Sequence, residues 1–398
     1  MKLFNILALF LLFPHSGQSQ SLPEKPFQRA IVLSGDSINT AFHLGMVDGA
    51  ALAGKPADIV IATCGGSIAA SLLAIFPSEE ERINFLLSRE YYESLRQIRF
   101  EQFSYSPIGR ARSESELLLA GADPFVPSIY QHGVIRGVEN LFSGFENFSR
   151  GFEANSKRII VIGGRLAFNP AERAGARLAR GEKFIREVFF TDTDTARFLQ
   201  NVASFAGSIF PNSFLQSETS VVTDYSLREA MLASIADPLL FSPIFVRGEY
   251  YTSGVINMDP YNVATKLANE TIGRVQPLFG SMFVNRVLSA GFGFDSNHAR
   301  AIAMNNPDVD YWVDTSSGGY PEMERDIGVG FFSAIWNGTP GKFLTINLGV
   351  PETYQAYVEL VRRQWQAGKN LVAMALRNPP RSQGHIRSRI PLRRIDSN

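Results

Sequence analysis

The stretch DIVIATCGGSIAA, residues 58–70, joins an apolar strand to a helix of small residues through a sharp turn. Residues 58–63 form a short apolar run rich in β-branched side chains, which predicts a buried strand, and residues 67–76 predict the helix. A strand that enters a helix through such a turn is the setting of a nucleophile elbow, where the apical side chain faces outward at the start of the helix. Cys64 occupies the apex.

The residues around Cys64 suit that turn. Ala62, Gly65 and Gly66 are small, and a bulky side chain would clash there. The free N–H groups at the start of the following helix favour an anion. The same geometry predicts a lowered pKa for the Cys64 thiol.

The surrounding elements indicate the fold class. Residues 30–33 predict a second apolar strand, followed by a turn at residues 34–36 and a helix over residues 40–52. Further short apolar strands are predicted at residues 158–162 and 187–191. Because strands and helices alternate, we expect an α/β fold with a central, mostly parallel sheet flanked by helices.

Composition limits the partners. The 398 residues are 45% apolar, which suffices for a large core. Acidic and basic residues balance at 38 each, with no polybasic stripe inside the body, so we expect no nucleic-acid partner. The histidines are isolated, so no metal site is predicted, and no cofactor is expected. With a single cysteine, no disulfide can form within the chain.

The two ends differ from the body. Lys2, an apolar run of about eleven residues and a small polar stretch are typical of a signal peptide, and the run is too short to span a bilayer. We expect residues 1–19 to be that signal peptide and the chain to be exported, as a periplasmic or secreted protein. Residues 29–376 are predicted to form one domain. Residues 377–398 form a basic tail, expected to be solvated.

Two helix predictions lie between these regions. Ser78 and Glu81 have the spacing of a capping box, which predicts a helix through about Arg96. Apolar residues recur at spacings of three and four between residues 134 and 152, which predicts one helix with an aromatic face. We expect this face to pack in the core, rather than to form a membrane-touching lid. Its members are Val138, Leu141, Phe142, Phe145, Phe148 and Phe152.

Three ordered blocks resemble the patatin-like phospholipase family. The first, Leu33, Ser34 and Gly35 with a later His43-Leu44-Gly45, is similar to its glycine-rich oxyanion loop and His-x-Gly step. The second is the elbow, where Cys64 falls on the serine of G-x-S-x-G. The third combines residues 233–243, ASIADPLLFSP, with residues 251–260, which resemble the D-G-G/A segment. The resemblance covers residues 29–265 as its core motif region and implies the family's three-layer fold.

The resemblance also implies a chemistry that this chain alters. In the family a serine attacks a lipid ester, and an aspartate at the head of the D-G-G/A segment accepts its proton. Here Cys64 replaces the serine, and Thr252 takes the aspartate position when Gly254 and Asn257 are held in register. Threonine cannot act as a general base at neutral pH. Moving the register to Ser253 restores no carboxylate.

The oxyanion loop is altered too. The family pattern G-G-G-x-R/K-G is replaced by Gly35, Asp36 and Ser37 followed by Ile-Asn-Thr, so two glycines and the basic residue are missing. Asp36 places a carboxylate where negative charge has to be accommodated.

These replacements favour a non-catalytic protein that binds a lipid, an acyl chain or another protein, and they allow peripheral contact with a membrane. The alternative is a thiol-dependent lipid acyl hydrolase or acyltransferase that uses Cys64. Such an enzyme needs a base, for which Asp36 and Asp259 are weak candidates, since both also suit turns or caps. Asp237, which precedes a proline, is interpreted as a turn residue. Ser67 sits in a slipped motif that lacks the closing glycine, so it is not favoured as nucleophile.

Overall fold

The computed structural model describes most of the chain. The predicted signal peptide, the loop residues Asp36 and Ser37, and the tail beyond Arg377 lie outside the described residues. The described residues are 25–35, 39–100, 106–131, 133, 135–154, 157–238, 240–275, 282–315, 333–335, 345–347 and 350–377.

The strands are listed here in chain order. They are β1 (Phe27–Leu33), β2 (Ile59–Thr63), β3 (Arg99–Phe100), β4 (Ile135–Arg136), β5 (Arg158–Leu166), β6 (Ile185–Phe190), β7 (Ser220–Val222), β8 (Ile244–Val246), β9 (Glu249–Thr252), β10 (Ala268–Val275), β11 (Tyr311–Asp314), β12 (Ser333–Ile335) and β13 (Thr345–Asn347).

The α-helices alternate with these strands over much of the chain. They are α1 (Thr40–Leu52), α2 (Gly65–Ile75), α3 (Glu79–Leu86), α4 (Arg89–Arg96), α5 (Ser106–Leu119), α6 (Pro170–Arg173), α7 (Thr193–Ala196), α8 (Phe205–Ile209), α9 (Leu227–Ile235), α10 (Tyr261–Leu267), α11 (Met282–Phe292), α12 (Ser296–Met304) and α13 (Tyr354–Arg377).

The central sheet has the order β11-β10-β1-β2-β5-β6-β7, with the β8–β9 hairpin attached to β5. The strands from β11 to β5 run parallel, whereas β6 and β9 pair antiparallel with β5. Helices cover the sheet, with separate apolar clusters on either side of β1 and β2. The predicted α/β class with a mostly parallel sheet is therefore confirmed.

The register of β1 and β2 positions the site. Leu33, the last residue of β1, pairs with Ala62, two residues before Cys64. Because parallel strands end at the same edge of the sheet, Ser34 and Gly35 after β1 lie beside the elbow after β2.

Helix α13 packs unusually closely on the buried helix α1. A Cβ atom on Gly45 would overlap the carbonyl oxygen of Trp365, and one on Gly368 would overlap the carbonyl oxygen of Phe42. Glycine at both positions lets the two backbones touch, so α13 belongs to the core of the domain. Among the described residues, no helix is both long and apolar enough to cross a membrane.

A buried ion pair joins α1 to α3 and α13. The Asp48 carboxylate contacts Arg82 Nη2 at 2.5 Å and accepts a hydrogen bond from Trp365 Nε1 at 3.0 Å. Arg82 also donates to the carbonyls of Phe76 and Pro77. Both charged side chains are almost completely buried, so each depends on the other for compensation.

Replacing Asp48 by alanine is expected to lower the free energy of unfolding by about 3 kcal/mol, because Arg82 would remain buried without its counter-ion. Chemical denaturation followed by circular dichroism measures this change. Glu93→Ala is the matched control, since Glu93 forms an exposed pair with Arg89 and its loss should cost less than about 1 kcal/mol. Equal losses in the two variants would contradict the prediction.

Two helix predictions need correction. The Ser78–Glu81 capping box is confirmed, but α3 ends at Leu86, and Ser88 caps the separate helix α4. The helix predicted over residues 134–152 is wrong: short 3₁₀ turns replace it, and Phe142 has a φ of 62°. Its aromatic residues still pack in the core, where the rings of Phe142 and Phe148 stack at 4.0 Å.

Candidate active site

Cys64 lies in a strained turn between β2 and α2, with φ 48° and ψ −126°. Such a φ is rare for a residue with a side chain, and it persists only where the surroundings enforce it. Ser67 supplies part of this support, since its N–H and its hydroxyl both donate to the Cys64 carbonyl, at 2.9 and 2.5 Å. Gly66 supplies another part, because any Cβ there would overlap the carbonyl of Leu33.

The Cys64 sulfur has two polar neighbours. It lies 3.4 Å from Asp237 Oδ1, to which the thiol can donate, and 3.1 Å from Ser253 Oγ. The Cys64 N–H donates to Ser234 Oγ at 2.9 Å. Cysteine, aspartate and serine thus form a compact cluster at the elbow, which we call the Cys64 cluster (Cys64, Asp237 and Ser253).

Two chain segments bring these residues to the elbow. Ser234 lies in the last turn of α9, and Asp237 follows the end of that helix by two residues. Ser253 follows β9 directly, and its N–H donates to the carbonyl of Ala236 at 3.0 Å. Gly254 lets this segment approach, since a Cβ there would lie 2.5 Å from the carbonyl of Ile162.

The position of the Asp237 carboxylate is the main feature of the site that the sequence interpretation did not anticipate. Its backbone carbonyl does serve a turn, accepting from the N–H groups of Leu240 and Phe241. Its carboxylate, however, faces the thiol. The signal in the sequence was an acidic residue at an unusual place in the family pattern, immediately before Pro238.

Thr252 does not reach Cys64. Its hydroxyl donates to the carbonyl of Ala236 at 3.3 Å, and its backbone pairs with Gly164 of β5. Ser253, one residue later, lies against the sulfur instead. The motif register aligned Thr252 with the family's aspartate, but the residue that lies beside Cys64 is Ser253.

The other candidate residues lie elsewhere. Asp259 is not available as a base for Cys64, because Arg300 pairs with one of its oxygens at 3.0 Å and Ser34 donates to the other at 3.1 Å. Asp36 and Ser37 lie outside the described residues, and Gly35 beside them has a φ of 67°. Ser67 is completely buried and supports the elbow.

The electrostatics differ from the expectation of a lowered thiol pKa. Burial raises the pKa of Cys64 well above its usual value, and the negative charge of Asp237 raises it further. Asp237 keeps some contact with solvent, but its carboxyl lies among buried atoms, and burial raises its pKa to about 6. The polar side chains of Ser253 and Cys64 beside this carboxyl oppose the rise. At neutral pH the cluster therefore holds a neutral thiol beside a carboxylate.

One side of the Cys64 cluster is apolar. Cys64 belongs to a group of buried hydrophobic residues whose members include side chains of α11, the segment after β9, the end of β5 and the segment after α5. Only 5% of the cysteine is exposed, so a substrate group that reaches the sulfur would be desolvated. Buried members of this group are Val126, Leu166, Val255, Ile256, Val287, Leu288 and Phe292.

Fold and site together define a class: an α/β protein with a nucleophile elbow whose apical thiol faces a carboxylate. A family model described as patatin-like phospholipase matches residues 31–265, more than half of the chain. The chain belongs to this family. VipD from Legionella pneumophila is a similar solved structure, with 12% identity and a TM-score of 0.33 over 91% of this chain and 71% of VipD. No curated protein matches the sequence.

Proposed function

We propose that this protein is a thiol-dependent acyl hydrolase or acyltransferase that acts on lipid esters, with Cys64 as the nucleophile and Asp237 as the general base. The observation that carries the proposal is the 3.4 Å contact between the Cys64 sulfur and Asp237 Oδ1. A nucleophile within hydrogen-bond reach of a base is the minimum geometry for covalent acyl transfer. The membership of the family supports a lipid or an acyl chain as the substrate class.

In the first half of the reaction, Asp237 accepts the thiol proton while Sγ attacks the carbonyl carbon of the ester. The carbon–oxygen bond to the alcohol then breaks, and the protonated Asp237 returns its proton to that oxygen. The alcohol leaves, and the acyl group remains on Cys64 as a thioester.

In the second half, water or another alcohol attacks the thioester while Asp237 again accepts a proton. The carbon–sulfur bond breaks, and the proton passes to the sulfur. Water yields a carboxylic acid and an alcohol yields a new ester, so the free thiol is restored in either case. Ser253 helps to hold the Cys64 sulfur in place. Its hydroxyl donates to the Ser234 carbonyl at 3.0 Å, and its oxygen also contacts the sulfur.

The raised thiol pKa favours this general-base route over a resting ion pair. A stable thiolate at neutral pH needs a nearby cation or a strong donor set. Cys64 faces a carboxylate instead, and burial disfavours its charged form. The proton therefore has to move as the sulfur attacks, which is the task of a base with a pKa near 6.

A second candidate function is the binding of an acyl chain without turnover. The observation in its favour is the 5% exposure of Cys64, together with the raised pKa of its thiol. The apolar residues beside the cysteine would then hold a ligand that never reacts. Under both candidates we also propose export through residues 1–19 and peripheral contact with membrane lipid, on the pattern of the N-terminal sequence and the class of ligand.

Incubation of the purified protein with p-nitrophenyl esters and phospholipid vesicles is expected to leave an acyl group on Cys64. Peptide mass mapping should find the added mass on the peptide that contains Cys64, because deacylation of a buried thioester by water is the slower half. Neutral hydroxylamine should remove the adduct, since it cleaves thioesters faster than oxygen esters.

The two candidates give different outcomes in this experiment. Saturable binding of a fatty acid, with neither adduct nor released alcohol, would reject the thiol enzyme in favour of the binding protein. An adduct that resists neutral hydroxylamine would place the acyl group on oxygen rather than on Cys64.

A further inference from the structure

Ser234 lies where three segments of the site meet. It belongs to the last turn of α9 and is completely buried. Its hydroxyl oxygen accepts from the Cys64 N–H at 2.9 Å, and its carbonyl accepts from the Ser253 hydroxyl at 3.0 Å. A Cβ atom on Gly254 would lie 3.0 Å from the same hydroxyl oxygen. Ser234 therefore joins the end of α9 both to the elbow and to the segment after β9.

The two peptide groups on either side of the Cys64 Cα atom are each held by a serine. The group before it presents the N–H that Ser234 accepts. The group after it presents the carbonyl, which accepts from the N–H and the hydroxyl of Ser67. Because φ and ψ describe the rotation of these two planar groups about Cα, fixing both groups fixes the direction in which the cysteine side chain leaves the backbone.

The strained apex depends on such support. A φ of 48° is unfavourable for a residue with a side chain, and it persists only when the surroundings determine it. Ser67 belongs to α2, the helix of the elbow itself. Ser234 lies 170 positions from Cys64, on the chain segment that continues to Asp237. The hydrogen bond from the Cys64 N–H to Ser234 thus ties the nucleophile to the segment that carries the proposed base.

We infer that Ser234 is a positioning residue for the thiol, acting through the Cys64 N–H. The inference rests on the proposed function, in which the sulfur attacks the ester while Asp237 accepts its proton. That transfer requires the sulfur to stay within reach of Asp237 Oδ1, which lies 3.4 Å away. In this role Ser234 orients the sulfur through the backbone of the apex and exchanges no proton with it.

The S–H stretching band in the infrared spectrum reports the position of the thiol without any turnover. Cys64 is the only cysteine of the chain, so the band has a single source. A thiol is a weak donor, and a hydrogen bond to a carboxylate lowers its stretching frequency because it weakens the S–H bond. Asp237→Ala gives the frequency in the absence of that carboxylate. The kcat and KM for a p-nitrophenyl ester are measured on the same variants.

Ser234→Ala is expected to move the S–H band away from that of the unaltered protein and toward that of Asp237→Ala, because a relaxed apex lets the sulfur leave the carboxylate. Its kcat should fall on the order of a hundredfold with KM within about twofold, the cost of a misplacement of about 1 Å. Ser71→Ala is the matched control, since it removes another completely buried serine hydroxyl, from α2. The band of this control should stay in place.

A second pair of variants isolates the hydroxyl, and it decides the question if Ser234→Ala fails to fold. Ser234→Thr and Ser234→Val add the same bulk at this position, but only threonine keeps an oxygen that can accept from the Cys64 N–H. The band of the threonine variant should therefore lie nearer to that of the unaltered protein than the band of the valine variant.

Three results would overturn the inference. The first is a Ser234→Ala band that coincides with the band of the unaltered protein, and the second is an equal shift in Ser71→Ala. The third is an identical band in the threonine and valine variants. Failure of the proposed function is recognised separately, as an unaltered protein that releases no p-nitrophenol, and the infrared band still decides the role of Ser234 in that case.

Discussion

Asp237→Asn is expected to lower kcat for ester turnover by roughly a thousandfold while leaving the chain folded. Asparagine has nearly the same shape but cannot accept the thiol proton, and general bases contribute about 10²–10⁴ to rate. The neutral thiol of Cys64 makes this dependence strong, because burial disfavours a thiolate formed in advance. The measurement is steady-state release of p-nitrophenol at pH 8 by the variant and the unaltered protein.

The pH dependence gives the same prediction a second readout. The pKa of Asp237 is raised to about 6 by burial, so the rate should fall as pH drops through about 6, where the base becomes protonated. The residual rate of Asp237→Asn should lack this limb. A limb that persists in the variant would assign the titration to another group.

Stability should change in the opposite direction from activity. Because the pKa of Asp237 is higher in the folded chain than its usual 3.8, the folded chain holds this proton more tightly than the unfolded chain. The stability that Asp237 contributes is thus present below about pH 4 and lost as pH rises to about 6. Asparagine does not ionise, so the variant should gain up to about 3 kcal/mol above pH 7 and little at pH 4.

A matched control separates the local effect from a general loss of negative charge. Asp224→Asn removes an exposed carboxylate that pairs with Arg247 at the surface, and it should change neither kcat nor the pH profile. A folded Asp237→Asn variant with unchanged kcat would reject Asp237 as the base.

The sequence predicted the elbow correctly because its signals are local. The apolar run of β2 and the glycines that follow it lie within a few positions of Cys64, although the structure shows that Gly66 is needed for a tertiary contact, its close approach to Leu33 of β1. The same reasoning predicted the sheet class, since alternation of strands and helices restricts the topology. The helix expected over residues 134–152 failed because spacing alone ignores left-handed residues such as Phe142.

The partners of Cys64 could not be predicted in the same way, because they depend on contacts between distant segments. Asp237 is 173 positions away, and its carboxylate reaches the thiol only through the end of α9. The alignment of a short motif fixes a position only to within about one residue. The sequence therefore could not decide whether Thr252 or Ser253 lies beside Cys64.

Cys64→Ala is expected to reduce turnover to the uncatalysed background, a loss on the order of 10⁴ or more, because no covalent intermediate can form. The measurement is release of p-nitrophenol together with peptide mass mapping, in which the acyl adduct should disappear. Ser71→Ala is the matched control, since it removes a buried hydroxyl from α2, the helix that follows Cys64. Ser71 donates there to the Ser67 carbonyl at 2.9 Å. Its activity should stay within a few-fold of the unaltered protein.

The competing nucleophile in this cluster is Ser253, whose oxygen lies 3.1 Å from the sulfur. If Cys64→Ala kept its activity and Ser253→Ala lost it, the nucleophile would be the Ser253 hydroxyl and not the Cys64 thiol. The contacts argue against this outcome. Ser253 is completely buried, its hydroxyl donates to the Ser234 carbonyl, and the same oxygen accepts from the N–H of Val255 at 2.9 Å. A hydroxyl engaged in this way supports the turn beside the thiol, whereas Cys64 holds the strained apex at which an ester carbonyl can be attacked.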